Sequence, residues 1–195
     1  MILYYTPGAC SLADHIALHE ANLAFDRVKV DLKTHTTEDG RDFATINPKG
    51  YVPALGLDSG DLLTENIAIL SWIADQAPGL APRGPLGRYR LLETLAFIST
   101  EIHKSFKPFF MAGASDADKA KAGETIAGRL GLLAGQMDGP YLFGDDAGVA
   151  DAYLYVMLTW AKRNQVAVPD PLGAFFERMN GRPAVQLALR HEGLS

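Results

Sequence analysis

A small α/β domain followed by an all-helical one is the architecture this chain predicts. Over the first 77 residues, short apolar runs alternate with helical patterns in the order strand, helix, strand, strand, strand, helix. The stretch Pro78-Gly79-Leu80-Ala81-Pro82-Arg83-Gly84-Pro85 is then the sharpest change of composition in the chain, a linker signal. Beyond it only helical periodicities appear, so the predicted units are 1–77, a linker 78–85, and 86–195.

The apolar run Met1 to Tyr5 reads as a buried strand and breaks at Thr6-Pro7-Gly8, a turn signal. Leu12, Ala13, Ile16 and Ala17 follow at the spacing of a helix face. Phe25, Val28, Val30 and Leu32 among charged neighbours predict a second strand over 25–32. Thr34 to Asp42 is polar and predicts an irregular or short-helical surface stretch. Ala54 to Leu57 and Leu62 to Leu63, separated by Asp58-Ser59-Gly60-Asp61, predict a hairpin. Ile67, Leu70, Ile73 and Ala74 then mark a helix that stops before Pro78.

In the second half, Leu86 to about Met111 predicts one long helix that Pro108 ends or kinks. Ser115 or Asp116 caps a helix reaching about Met137. Val149, Ala152, Tyr153, Val156, Met157 and Trp160 trace a strongly buried helical face. Shorter helices around Leu172 to Met179 and Ala184 to Leu189 complete the chain.

The 195 residues carry 48% hydrophobic and 21% charged side chains, a globular balance. A net charge of -5 without a basic cluster argues against a nucleic-acid partner. The segment Leu12 to Leu23 is too short and too charged for a membrane span, and no signal-peptide pattern opens the chain. A single cysteine excludes an internal disulfide and points to a reducing cytoplasm.

That cysteine, Cys10, stands where a turn meets the first helix. Free amide N–H groups and the positive end of the helix dipole favour an anion there, so the expectation is a thiol that ionises more readily than a free one. His15 and His19, four apart on the same helix, make a possible metal pair, but no third ligand suggests itself, and no metal is expected.

The motifs Tyr4-Tyr5-Thr6-Pro7-Gly8-Ala9-Cys10-Ser11, Asn47-Pro48-Lys49-Gly50-Tyr51-Val52-Pro53-Ala54-Leu55, Leu63-Thr64-Glu65, Glu101-Ile102-His103-Lys104 and Val149-Ala150-Asp151-Ala152-Tyr153 occur in that order. Together they resemble the bacterial cysteine-type (beta-class) glutathione transferases, nearly end to end. The resemblance implies a thioredoxin-like first domain, a helical-bundle second domain, a homodimer, and glutathione as co-substrate. It implies Cys10 and His103 as catalytic residues. It also implies a glutathione site of Tyr5, Ser11, Lys33, His35, Tyr51, Val52, Pro53, Glu65, Asn66, His103 and Lys104, with Val52-Pro53 as the family's cis-proline. Phe106, Phe109, Phe110, Met111 and Trp160 are the expected lining of an apolar substrate pocket, though each is equally consistent with helix core.

Four positions depart from the family pattern. Thr94 and Ala96 stand where relatives carry Trp and Asn, Asn66 where Ser or Gly is common, and Gly148 where Ser or Thr caps a buried helix. These departures point to weaker glutathione binding within an intact fold.

The expected activity is conjugation of glutathione to electrophilic apolar substrates, beside disulfide exchange at Cys10. Two thiolates at contact distance repel, and a Cys10–glutathione mixed disulfide removes that conflict. With one cysteine, a second glutathione must resolve it. The competing readings are a glutathione-dependent dehalogenase or lyase of aromatic catabolism, and a non-catalytic ligand carrier on the same fold.

Overall fold

The computed structural model describes Met1–Ser195. The first half is a five-stranded sheet of order β3-β2-β1-β4-β5, with β1 at Ile2–Tyr5, β2 at Asp26–Asp31, β3 at Thr36–Thr37, β4 at Ala54–Gly56 and β5 at Leu62–Thr64. Helix α1 (Leu12–Glu20) is the crossover that lets β1 and β2 run parallel. β4 is antiparallel to β1, with Leu55 opposite Leu3, and β5 returns antiparallel to β4 as the expected hairpin. Alternation along β1 divides the sheet. Leu3 and Tyr5 join the main core, and Tyr4 turns to a small cluster with Val30, Phe43, Val52 and Ala54.

One element differs from expectation in this half. The stretch 34–42 forms neither coil alone nor a helix, since Thr36 and Thr37 pair antiparallel with Asp31 and Val30 as β3. Two residues are too few for any periodicity, and only the free edge of β2 gives them a partner.

Helix α2 (Asn66–Gln76) ends the first half, and a single 3₁₀ turn over Pro78–Leu80 opens the linker stretch. The second half contains α3 (Gly87–Phe97), α4 (Lys107–Phe110), α5 (Asp116–Gln136), α6 (Val149–Arg163), α7 (Asp170–Asn180) and α8 (Pro183–Glu192). Ser115 caps α5 by accepting from the Asp118 N–H, and Asp118 reaches back to the Ser115 N–H.

The long helix expected over 86–111 is broken up, and not by Pro108. Between α3 and α4 the backbone widens into a π-helical turn over Ile98–His103 and then tightens into a 3₁₀ turn over Lys104–Phe106. Ile98, Ile102 and Phe106 recur every four residues and all are fully buried. A regular helix would carry such a row about 40° around per step. The wider π turn counters that drift between Ile98 and Ile102. Pro108 sits in the first turn of α4, where its missing N–H does no harm.

Helix α6 is buried almost along its whole length. It packs on α1 together with α8, so one cluster of 40 buried residues runs from Leu3 to Leu189 through both halves. No helix is long and apolar enough to cross a membrane.

Candidate functional site

A cleft of about 870 Å³ opens between the two halves. One wall carries Cys10, Tyr51, Val52, Pro53, Glu65 and Asn66, and the facing wall carries Ser99, His103, Lys104 and Tyr153. A second hollow of about 920 Å³, between the linker and α5, contains neither thiol nor histidine. Chemistry therefore selects the first.

Cys10 lies in the turn two residues before α1 and keeps part of its surface open. Its Sγ is 3.5 Å from the Val52 carbonyl oxygen, to which the thiol donates. Burial pushes the Cys10 thiol up to about 12, with the Asp14 carboxyl the next cause. The amides of Cys10 and Ser11 do pull the other way, as the helix-start argument requires, but desolvation outweighs them. Asp14 is itself fully buried, and that burial pushes its carboxyl well above the usual carboxylate range. The expectation of an easily ionised thiol is corrected: the resting group is S–H.

Glu65 begins α2 with φ 73° and ψ 128°, a left-handed backbone unusual for a residue with a side chain. Such a conformation costs of order 1–3 kcal/mol and persists only where its surroundings enforce it. Here Lys49 Nζ donates to Glu65 Oε1 at 2.6 Å and the Tyr51 hydroxyl donates to the same oxygen at 2.7 Å. The Lys49 contact, foremost, holds the Glu65 carboxyl below its ordinary value. Asn66, the departure beside it, is buried, and its Nδ2 donates to the Cys10 carbonyl at 2.9 Å and to Asp14 Oδ2 at 3.2 Å. A Ser or Gly at 66 could not span that distance, so Asn66 ties the start of α2 to the Cys10 turn. The Val52–Pro53 peptide is cis.

On the facing wall the π-helical turn presents Ser99 and His103 to the cleft. His103 Nδ1 is 2.7 Å from the Tyr153 hydroxyl on α6. Burial, and then the neighbouring Lys104 charge, lowers His103 to about 4, so the imidazole is neutral. Burial raises the Tyr153 phenol, so the hydroxyl that pairs with Nδ1 keeps its proton. When that hydroxyl donates to Nδ1, the ring proton stands on Nε2.

Residues 9–76 match the family model for the glutathione S-transferase N-terminal domain, and residues 97–183 match that for its C-terminal domain. The chain belongs to the glutathione S-transferase family. Glutathione S-transferase GstA of Escherichia coli O157:H7 is 41% identical over 200 residues, covering 100% of both chains. A solved sphingomonad glutathione S-transferase complexed with glutathione superposes with a TM-score of 0.91 at 50% identity, again over 100% of both chains. A bacterial beta class glutathione S-transferase from Sphingomonas chungbukensis gives the same TM-score of 0.91 and 50% identity, with 100% of both chains covered. The beta-class resemblance is thereby met, as is the thioredoxin-like sheet followed by a helical second half.

Not every residue expected in a glutathione S-transferase site reaches this cleft. Tyr5 is buried with its ring 5.8 Å from that of His15, and Ser11 is fully buried with its hydroxyl spent on the Thr6 backbone. Neither lines the cleft, because β1 and the helix start turn both side chains into the core. Lys33 and His35 are exposed on the loop after β2, where the His35 ring lies beside Gly50. Phe106 is fully buried and Phe109 half-buried, while Phe110 and Met111 are exposed beyond the cleft. Trp160 stacks edge-on against His103, Phe106 and Phe110, and its Nε1 donates to the Gly8 carbonyl at 2.8 Å. It is a strut beneath the Cys10 turn.

Three contributors were missed. Asp14 could have been flagged as a carboxylate inside the apolar stripe of α1, and Lys49 stood in a quoted motif without a role. Tyr153 was counted as core alone, and its hydroxyl is what orients His103.

Proposed function

We propose that the chain binds glutathione in this cleft and transfers it to an electrophilic, apolar co-substrate. In this reading the γ-glutamyl end meets Glu65 and the amide groups that open α2. The cysteinyl backbone pairs with Val52 as an added strand, and Lys104 faces the glycyl carboxylate. The sulfur lies between Cys10 and His103. A ligand N–H that takes the Val52 carbonyl displaces the Cys10 thiol from it, and the freed S–H turns to the glutathione sulfur. His103 Nε2–H approaches from the other wall.

The glutathione thiol gives its proton to solvent, and the two donors hold the resulting thiolate. Its electron pair forms the new carbon–sulfur bond while the leaving group departs with the pair of the bond that breaks. The observation that carries this reading is the placing of the Cys10 thiol and the His103 imidazole on opposite walls of one cleft. Disulfide exchange at Cys10 remains part of the proposal but is subordinate, since attack needs the thiolate and its pKa of about 12 leaves little at neutral pH. In that exchange the Cys10 thiolate attacks the glutathione sulfur of a glutathione-containing disulfide and expels the other thiolate; a second glutathione thiolate then attacks the Cys10–glutathione disulfide, leaves as glutathione disulfide and returns the Cys10 thiolate. The reading includes a homodimer and a reducing, cytoplasmic setting.

Conjugation of glutathione to 1-chloro-2,4-dinitrobenzene tests the roles. Cys10→Ser keeps a donor and retains activity within about tenfold, whereas Cys10→Ala and His103→Ala each lose roughly 10²-fold in kcat. A fully active Cys10→Ala protein overturns the donor role, and an inactive Cys10→Ser protein makes Cys10 a nucleophile instead.

A further inference from the structure

His15, His19 and His191 meet where α1 packs on α8, and none of them lines the cleft. One ring nitrogen of each lies within 4.8 Å of those of the other two. His19 Nε2 and His191 Nδ1 are already 3.3 Å apart. Ions of the zinc class hold imidazole nitrogen at about 2.0–2.1 Å, which puts two ligands of a tetrahedron roughly 3.4 Å apart. The His19–His191 pair stands at that spacing, and the third nitrogen has at most about 1.5 Å to travel.

His15 supplies the independent observation. It is 0% exposed, and its Nδ1 lies 2.8 Å from Glu192 Oε1. Where Nδ1 is the donor of that pair, the ring lone pair stands on Nε2. That Nε2 is buried and has no hydrogen-bond partner. Buried ring nitrogens are ordinarily satisfied. With Nδ1 spent on Glu192, the orphaned nitrogen is the one His15 has to offer, and the ring lies 5.1 Å from His19 and 5.6 Å from His191, centroid to centroid. A histidine backed by a carboxylate is also how metal-binding imidazoles are commonly oriented.

Charge works both ways here. Arg27 on β2 bears on all three imidazoles and opposes a cation, and Arg190 opposes at His191. Glu192 is the carboxyl paired with His15, and Phe25 closes one side with its ring 5.6 Å from His15 and 5.0 Å from His19.

We propose that His15, His19 and His191 form a site for one divalent ion of the zinc, cobalt, nickel and copper class, with water at the fourth position. Three imidazoles and no facing carboxylate oxygen select these ions over magnesium or calcium. The ion clamps the last helix to the helix that follows Cys10. It also bears on the active turn, because Glu192 Oε2 accepts from the Gly8 N–H at 2.8 Å.

The test is a Co²⁺ titration of tag-free, chelator-stripped protein, followed by Zn²⁺ competition, in a Cys10→Ser background so that the thiol cannot compete. One equivalent of cobalt giving intense four-coordinate d–d bands, displaced by one equivalent of zinc, is the expected result. His191→Ala, at the open end of the cluster, keeps the fold and weakens binding at least tenfold, as does His19→Ala. Zinc raises the melting temperature of the parent and leaves that of His191→Ala unmoved. Absence of four-coordinate bands in tenfold excess cobalt overturns the site, as does a spectrum that neither variant alters.

Discussion

At Cys10 two effects of opposite sign meet, and their sizes decide the chemistry. Amide dipoles at a helix start lower a thiol, but the surrounding protein removes more solvation than those dipoles restore. With the thiol pushed up to about 12, alkylation by iodoacetamide should rise about tenfold per pH unit through pH 9 without a plateau. A plateau below pH 8 would show an ionised resting thiol. His103 is displaced downward, to about 4 from 6.5. Between those values the native protein binds fewer protons at this site than the unfolded chain does, so stability rises with pH there. The contribution is complete above pH 6.5 and is lost as pH falls toward 4. Allowing for water in the cleft, it is on the order of 1–3 kcal/mol. Urea midpoints across that window should change less steeply in His103→Gln than in the parent, and parallel curves would contradict the assignment.

At the scale of elements, the helix cap at Gly148 explains a departure that looked like a loss. Asp151 is fully buried and accepts from the Gly148 N–H at 2.8 Å and the Leu142 N–H at 2.9 Å, so its half of the capping box stands. A Cβ at position 148 would lie 2.5 Å from the Leu80 carbonyl oxygen. Glycine therefore lets the turn over Pro78–Leu80 close onto the start of α6, the helix at the centre of the core. Gly148→Ala should destabilise by about 1–3 kcal/mol through overpacking, read as a lowered denaturant midpoint with unchanged m-value. An unchanged midpoint would mean that the linker yields freely. The π-helical turn acts at the same scale, since it keeps Ile98, Ile102 and Phe106 inside while Ser99 and His103 face the cleft.

Across the whole molecule, the two architectural units share one core and meet at the turn before Cys10. Gly8 is held from both sides by the second half, its carbonyl by Trp160 and its N–H by Glu192. Arg182 donates from Nε and Nη2 to the two carboxylate oxygens of Glu20 at 2.6 and 2.8 Å, fastening the start of α8 to the end of α1. Neither half can open without exposing apolar surface of the other. Urea unfolding followed by tryptophan fluorescence and by far-ultraviolet circular dichroism should therefore give one coincident transition. Two separated transitions would make the linker a true folding boundary.

What the residue order determines by itself is whatever repeats or punctuates locally. The strands β1, β2, β4 and β5, the helices α1, α2 and α5 to α8, the Pro/Gly break and the Ser115 cap were legible, because periodicity and turn chemistry act over a few residues. Motif order carried the family and the cleft residues Cys10, Val52, Glu65 and His103. Only the tertiary structure decided how those residues are charged and what joins them, since solvation depends on neighbours far away in the chain. It made Cys10 a neutral donor, sent Tyr5 and Ser11 inward, gave Asn66 a reason, and placed Tyr153 behind His103. It also brought His191 across 172 residues to within 3.3 Å of His19, a third ligand that no local pattern on α1 could announce.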